Sequence, residues 1–129
     1  MLLSDFLTDR RRERLAYRAL FEKSADAAIL ADAERRIVRV NAAFVRLFGY
    51  DAPDVLGRKT AVLYDDREAY EAAGAARYNP ASINGPLRYR TGYRTADGST
   101  FEGLTTGIPV RLGSVTLGYV GTISAPERR

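Results

Sequence analysis

The stretch Ala31-Asp32-Ala33-Glu34-Arg35-Arg36-Ile37-Val38-Arg39-Val40-Asn41-Ala42-Ala43-Phe44 decides how this chain folds, because one run holds a polar turn, a strand and a helix start. Ala28-Ile29-Leu30-Ala31 before the turn and Arg36 to Val40 after it are short β-type runs, so Asp32 to Arg35 between them predict a β-hairpin. Asn41 stands directly before Ala42 to Phe48, where its side chain accepts from an orphan N–H in the first helical turn. Phe44, Leu47 and Phe48 fall at i, i+3 and i+4, giving that helix an apolar face to pack on the hairpin. Gly49 ends it.

Toward the N-terminus, residues 5–23 contain no proline or glycine and end in Leu15-Ala16-Tyr17-Arg18-Ala19-Leu20-Phe21, which predicts a leading helix with one apolar side. Toward the C-terminus, Pro53 opens a short turn of helix closed by Gly57. Asp65 followed by Glu68 reads as a capping box for a helix from Ala69 to Tyr78, weakened at Gly74. Residues 79–86 are dense in turn formers and predict a loop. The last third predicts consecutive antiparallel strands over Leu87–Thr95, Thr100–Val110 and Val115–Ser124. Asp97-Gly98 is expected to form a two-residue hairpin turn, with a second turn near Gly113. Alternation puts Tyr89, Thr91 and Tyr93 on one face of the first of these strands and Arg88, Arg90 and Arg94 on the other.

With 129 residues, 46% of them apolar and 28% charged, the chain has the size and balance of a single domain with one core. It contains neither cysteine nor histidine, which excludes disulfides, the usual bases for a serine nucleophile and the commonest metal ligands. Asp65, Asp66, Glu68 and Glu71 cluster where a helix begins, and the helix dipole accounts for them without catalysis. The chain is therefore read as non-catalytic. Its net charge of +4 comes from 18 arginines and two lysines interspersed with 16 acids, an arrangement that argues against a nucleic-acid partner. No run approaches the roughly 20 apolar residues of a membrane span, and Met1 to Phe6 is too short and acidic for a signal peptide. A cytoplasmic location is expected, with no membrane contact in this segment.

Three local patterns together resemble the PAS family. The first is the opening stretch, running on into Leu47-Phe48-Gly49-Tyr50. The second is Asp54-Val55-Leu56-Gly57-Arg58, and the third is the hairpin Tyr93-Arg94-Thr95-Ala96-Asp97-Gly98-Ser99. The resemblance covers about Leu15 to the end. It implies an α+β, PAS-like fold: a five-stranded antiparallel sheet, several short helices on one face and an N-terminal flanking helix. Residues 1–23 would be that flanking and dimerisation helix, 24–124 the PAS domain, and 125–129 the start of a linker to an output domain. The end departs from the family, since only Glu127 and Arg128 remain of its usual Asp-Ile-Thr-Glu-Arg junction.

The resemblance further implies a pocket between the concave sheet face and the helices. With Tyr93 inward, alternation brings Tyr89 and Thr91 with it, and matching the next strand to the family implies Phe101, Gly103, Thr105 and Gly107, the last strand then contributing Tyr119, Gly121 and Ile123, with Ala27 and Ala31 adding small side chains. Candidate ligand-binding residues are Phe44, Phe48, Tyr70, Tyr89, Tyr93, Gly103, Thr105, Tyr119 and Gly121. Their glycines either leave room for a ligand or let neighbours pack closely. The tyrosine-rich wall suits a small neutral or aromatic ligand, and a buried anion is disfavoured unless Arg58 or Arg77 swings in. Some family members bond flavin through cysteine and others ligate haem through histidine; this chain has neither residue, and its cofactor is left unknown. A homodimer through the leading helix and the outer sheet face at Leu104, Thr106 and Ile108 is expected, the alternative being cover by the chain's own helix. The implied function is a sensory, signal-transduction module that binds a small ligand or partner and regulates an attached output. The alternative is a ligand-free interaction domain acting in dimerisation or docking.

Overall fold

The computed structural model describes residues 3–77 and 87–125. Helix α1 (Leu3–Lys23) is exposed at every described side chain from Leu3 to Leu20, and only its last turn meets the body. There Arg39 pairs with Glu22 at 3.4 Å. Strands β1 (Ala27–Asp32) and β2 (Ile37–Val40) form the expected hairpin, pairing Ile29 with Val40. In its turn, Asp32 Oδ1 accepts from the N–H groups of Glu34 and Arg36, each at 2.9 Å, and Arg35 N donates to Asp32 O at 3.0 Å. Arg35 closes the turn in the left-handed region, at φ 65°.

Helix α2 (Ala42–Phe48) begins as the sequence predicts: Asn41 Oδ1 accepts from Phe44 N at 2.9 Å. It ends at Gly49, whose φ of 78° lets its N–H reach Val45 O. The same Asn41 oxygen accepts from Ala28 N at 2.9 Å, and its amide nitrogen donates to Phe21 O at 2.9 Å and Asp26 O at 3.1 Å. One side chain thus joins the end of α1, the start of β1 and the cap of α2. Helix α3 (Ala52–Val55) and a 3₁₀ turn (Thr60–Leu63) follow, then α4 (Arg67–Arg77).

The cap of α4 differs from the expected one. Asp66, not Asp65, accepts from Ala69 N, at 2.7 Å. Asp65 is tied to the sheet, its own N–H donating to Gly92 O at 2.9 Å, so the chain turns into the helix one residue later. The expected end of the helix at Tyr78 and the loop 79–86 lie outside the described residues.

Strands β3 (Leu87–Arg94), β4 (Thr100–Leu112) and β5 (Val115–Ser124) complete a five-stranded antiparallel sheet in the order β2-β1-β5-β4-β3. Strand β4 runs two residues beyond expectation because Leu112 still pairs with Val115 across Gly113 and Ser114. The Asp97-Gly98 turn also differs: Thr95 N donates to Ser99 O at 2.8 Å and Gly98 N to Thr95 O at 3.0 Å, enclosing Ala96, Asp97 and Gly98. A two-residue type I′ turn needs positive φ at both central positions, and here only Gly98 has it, at 89°. The loop is therefore a three-residue one with glycine in the left-handed place.

The core lies between the concave sheet face and the short helices. Phe44 and Phe48, fully buried, stack with centroids 4.7 Å apart, and Phe48 meets the edge of Tyr93 at 5.7 Å. Full burial of such a ring stabilises the fold by about 1.5–3 kcal/mol. On the convex face Leu104, Ile108 and Val110 stay exposed, and α1 does not lie over them.

Candidate functional site

Strand alternation places the inward set as the sequence predicts. Tyr93, Gly103, Thr105, Gly107, Tyr119, Gly121 and Ile123 are buried, whereas Arg88, Arg90 and Arg94 are exposed. Antiparallel register sets Thr105 beside Ile123 and Gly107 beside Gly121. The Tyr93 and Thr105 hydroxyls, both 1% exposed, satisfy each other at 2.5 Å.

Little space is left between them. An internal cavity of about 20 Å³ is lined on the sheet side by Ile29, Ala31, Tyr93, Thr105, Tyr119, Gly121 and Ile123, and on the helical side by Thr60, Leu63 and Tyr64. That volume holds one water molecule. Of the nine candidate residues, Tyr93, Thr105, Tyr119 and Gly121 line it. Phe44 and Phe48 are core rings away from the cavity wall, and Tyr89 reaches toward Tyr64, hydroxyl to hydroxyl, at 3.5 Å. Tyr70 packs on the outer side of Tyr64, ring centroids 5.5 Å apart. Gly103 makes no space: a Cβ there would stand 2.8 Å from both Tyr93 Cδ2 and Ile123 Cγ2, so the glycine admits those side chains.

Sequence reasoning missed three residues here. Tyr64 fills the centre, 5.1 Å from the Tyr93 ring and bridged to Tyr93 through the backbone. Thr60, 5% exposed, brings a hydroxyl that has no hydrogen-bond partner among the described residues. Arg35, 8% exposed, turns inward from the β1–β2 hairpin and lays its guanidinium carbon 3.6 Å from the Tyr70 ring centroid. Its Nη1 donates to Tyr70 O at 2.9 Å, while Nε and Nη2 have no partner among the described residues. Helix α4 makes room for it at Gly74, where a Cβ would meet Arg35 Nη1 at 2.5 Å. A sequence signal existed: the equivalent place in the β3–β4 turn is held by glycine, Gly98, whereas the β1–β2 turn spends a charged residue on it.

The chain has no cysteine or histidine to bond a flavin or ligate a haem iron. Among the described residues no group of acidic side chains is arranged to hold a metal, and no helix is long and apolar enough to cross a membrane.

Solved structures share this architecture. A PAS domain from Colwellia psychrerythraea superposes with a TM-score of 0.78 at 19% identity, over 89% of this chain and 98% of that one. The PAS domain of a LuxR-family transcriptional regulator from Burkholderia thailandensis, in complex with ethanol, gives 0.72 at 24% identity over 84% and 96%. A Rhodobacter sphaeroides LOV protein gives 0.75 at 23% identity over 92% and 69%. These likenesses establish the fold. No curated protein matches the sequence. Residues 15–125 match the family described as PAS fold. By that match and by its architecture, the chain belongs to the PAS family.

Proposed function

We propose that this chain is a non-catalytic, cytoplasmic sensory module in which a small ligand or a partner alters the packing of the helical layer, and α1 carries the change to an attached output. The observation that carries this reading is the four-way hydrogen bonding of Asn41, which ties the last turn of α1 to β1 and to α2, the helix that packs on the sheet. Displacement of that layer is thereby coupled to the direction in which α1 leaves the domain. The tyrosine-walled cavity is the ligand end of the reading, and it must enlarge to admit more than water. Outward movement of the 3₁₀ turn and Tyr64, which form the helical side of the cavity wall through Thr60, Leu63 and the Tyr64 ring, provides that room.

The module acts as a homodimer in this reading. Both surfaces needed are bare: the described side chains of α1 up to Leu20, and the convex sheet face bearing Leu104, Ile108 and Val110. Analytical ultracentrifugation tests this, with dimer expected for the wild type and monomer for Ile108→Glu combined with Val110→Glu. A wild type that stays monomeric at all accessible concentrations would refute the dimer.

A second reading, a ligand-free docking domain, is favoured by the cavity volume of about 20 Å³ alone. Native mass spectrometry of freshly purified protein separates the two, since bound small-molecule mass supports sensing and a bare chain under all growth conditions supports docking.

A further inference from the structure

We infer that Arg35 is the anchor of a binding site for a small organic carboxylate beneath α4, which deepens the sensory reading and rests on it. A guanidinium 8% exposed is ordinarily matched by a carboxylate or by a full set of carbonyl acceptors, because an unpaired buried charge is strongly disfavoured. Here one of its three nitrogens is satisfied, by Tyr70 O, and no acid pairs with the group among the described residues. The ring of Tyr70 at 3.6 Å offers π-electron density to one face but accepts nothing in the guanidinium plane.

The pattern of vacancy selects the ligand. Nε and Nη2 carry parallel N–H bonds along one edge of the guanidinium plane, and neither has a partner among the described residues. That edge matches the two oxygens of a planar carboxylate in a bidentate pair. Thr60 adds a buried hydroxyl with no partner among the described residues, on a segment tied to the hairpin by its N–H donating to Arg35 O at 2.8 Å. The Tyr64 ring, 5.8 Å from the guanidinium carbon, also lines the cavity beside Thr60 and gives the carbon skeleton of the acid an apolar surface to lie against once α4 yields.

Two further features are hard to explain for a turn residue facing water. Arg35 holds a left-handed φ of 65° at the place where the β3–β4 turn uses Gly98, and α4 carries Gly74 directly over the guanidinium. Backbone and helix are both shaped to bring this one side chain inside. When a carboxylate pairs with the free edge, the charge becomes compensated and α4 is held outward by the ligand's bulk.

The test follows the Arg35 Nε–Hε resonance by ¹H–¹⁵N NMR while the wild-type protein is titrated, at constant ionic strength, with acetate, benzoate, benzamide and inorganic phosphate. Arg35→Lys assigns the resonance by its loss. A saturable shift of Nε–Hε with acetate or benzoate, absent with benzamide, is expected, and Arg35→Lys should weaken carboxylate binding at least about tenfold through loss of the bidentate pair. Tighter binding of phosphate than of either carboxylate would overturn the assignment. Equal shifts from benzoate and benzamide would overturn it too, while leaving the sensory reading in place. Absence of a saturable shift with all four compounds would likewise overturn it. Because the wild-type titration stands alone, a misfolded Arg35→Lys variant would not rescue the idea.

Discussion

Arg35 and Tyr70, on a β-hairpin turn and on a helix 35 residues later, are stacked with the guanidinium carbon 3.6 Å from the ring centroid and joined again through Tyr70 O. This pair pins α4 against the hairpin. Tyr70→Leu removes the π-face over a buried cation and should destabilise the fold by about 1–2 kcal/mol, whereas Tyr70→Phe, which keeps the ring, should change stability by less than about 0.5 kcal/mol. Urea unfolding of both variants checks the contrast.

Gly74→Ala sets two effects against each other. Alanine is favoured over glycine in a helix interior by about 1 kcal/mol, yet its Cβ would stand 2.5 Å from Arg35 Nη1. With the guanidinium enclosed, the overlap should win and the substitution should destabilise. In an Arg35→Gly background nothing occupies that space, the turn keeps a residue suited to positive φ, and Gly74→Ala should become stabilising by up to about 1 kcal/mol. A double-mutant cycle reads the change of sign; equal effects in both backgrounds would refute the coupling.

Asn41→Asp separates the two halves of the Asn41 node. The carboxylate retains the acceptor roles toward Ala28 N and Phe44 N but loses both donations, leaving a charge facing Phe21 O and Asp26 O. At 2% exposure that loss should destabilise by roughly 2–3 kcal/mol. Amide exchange should quicken most in the last turn of α1, which depends on those donations.

Acid should loosen the β3–β4 turn before the rest of the sheet. The Asp97 carboxyl is held down to about 2 from an ordinary 3.8, first by the Thr95 hydroxyl, then by the backbone and side chain of Ser99. A depressed folded pKa stabilises the turn above the unfolded value, and that contribution disappears as pH falls from about 3.8 through about 2. Asp97→Asn should abolish the pH dependence in that window, monitored by the Gly98 amide resonance.

Sequence reasoning reached the frame of the molecule because its signals were local. Asn41 beside Ala42, Gly49 after Phe48 and the alternation of β3 each depend on neighbours within a few residues, and the structure bears them out. The cap of α4 slipped by one residue because Asp65 is claimed by Gly92, far away in sequence. The site was less legible for the same reason. Alternation tells which way Gly103 faces but not that the Tyr93 ring already fills its space. An arginine in a polar turn reads as solvated, and only the tertiary placement of Gly74 and Tyr70 draws Arg35 inside.

The edge strand β3 points Arg88, Arg90 and Arg94 into solvent, and its free edge is taken up near its C-terminal end by the backbone bridge between Tyr64 and Tyr93. Strand-by-strand growth along that border would stack like charges and break the bridge. Ribbon-like polymerisation of the kind that ends in fibrils therefore meets a barrier on the β3 side of the sheet.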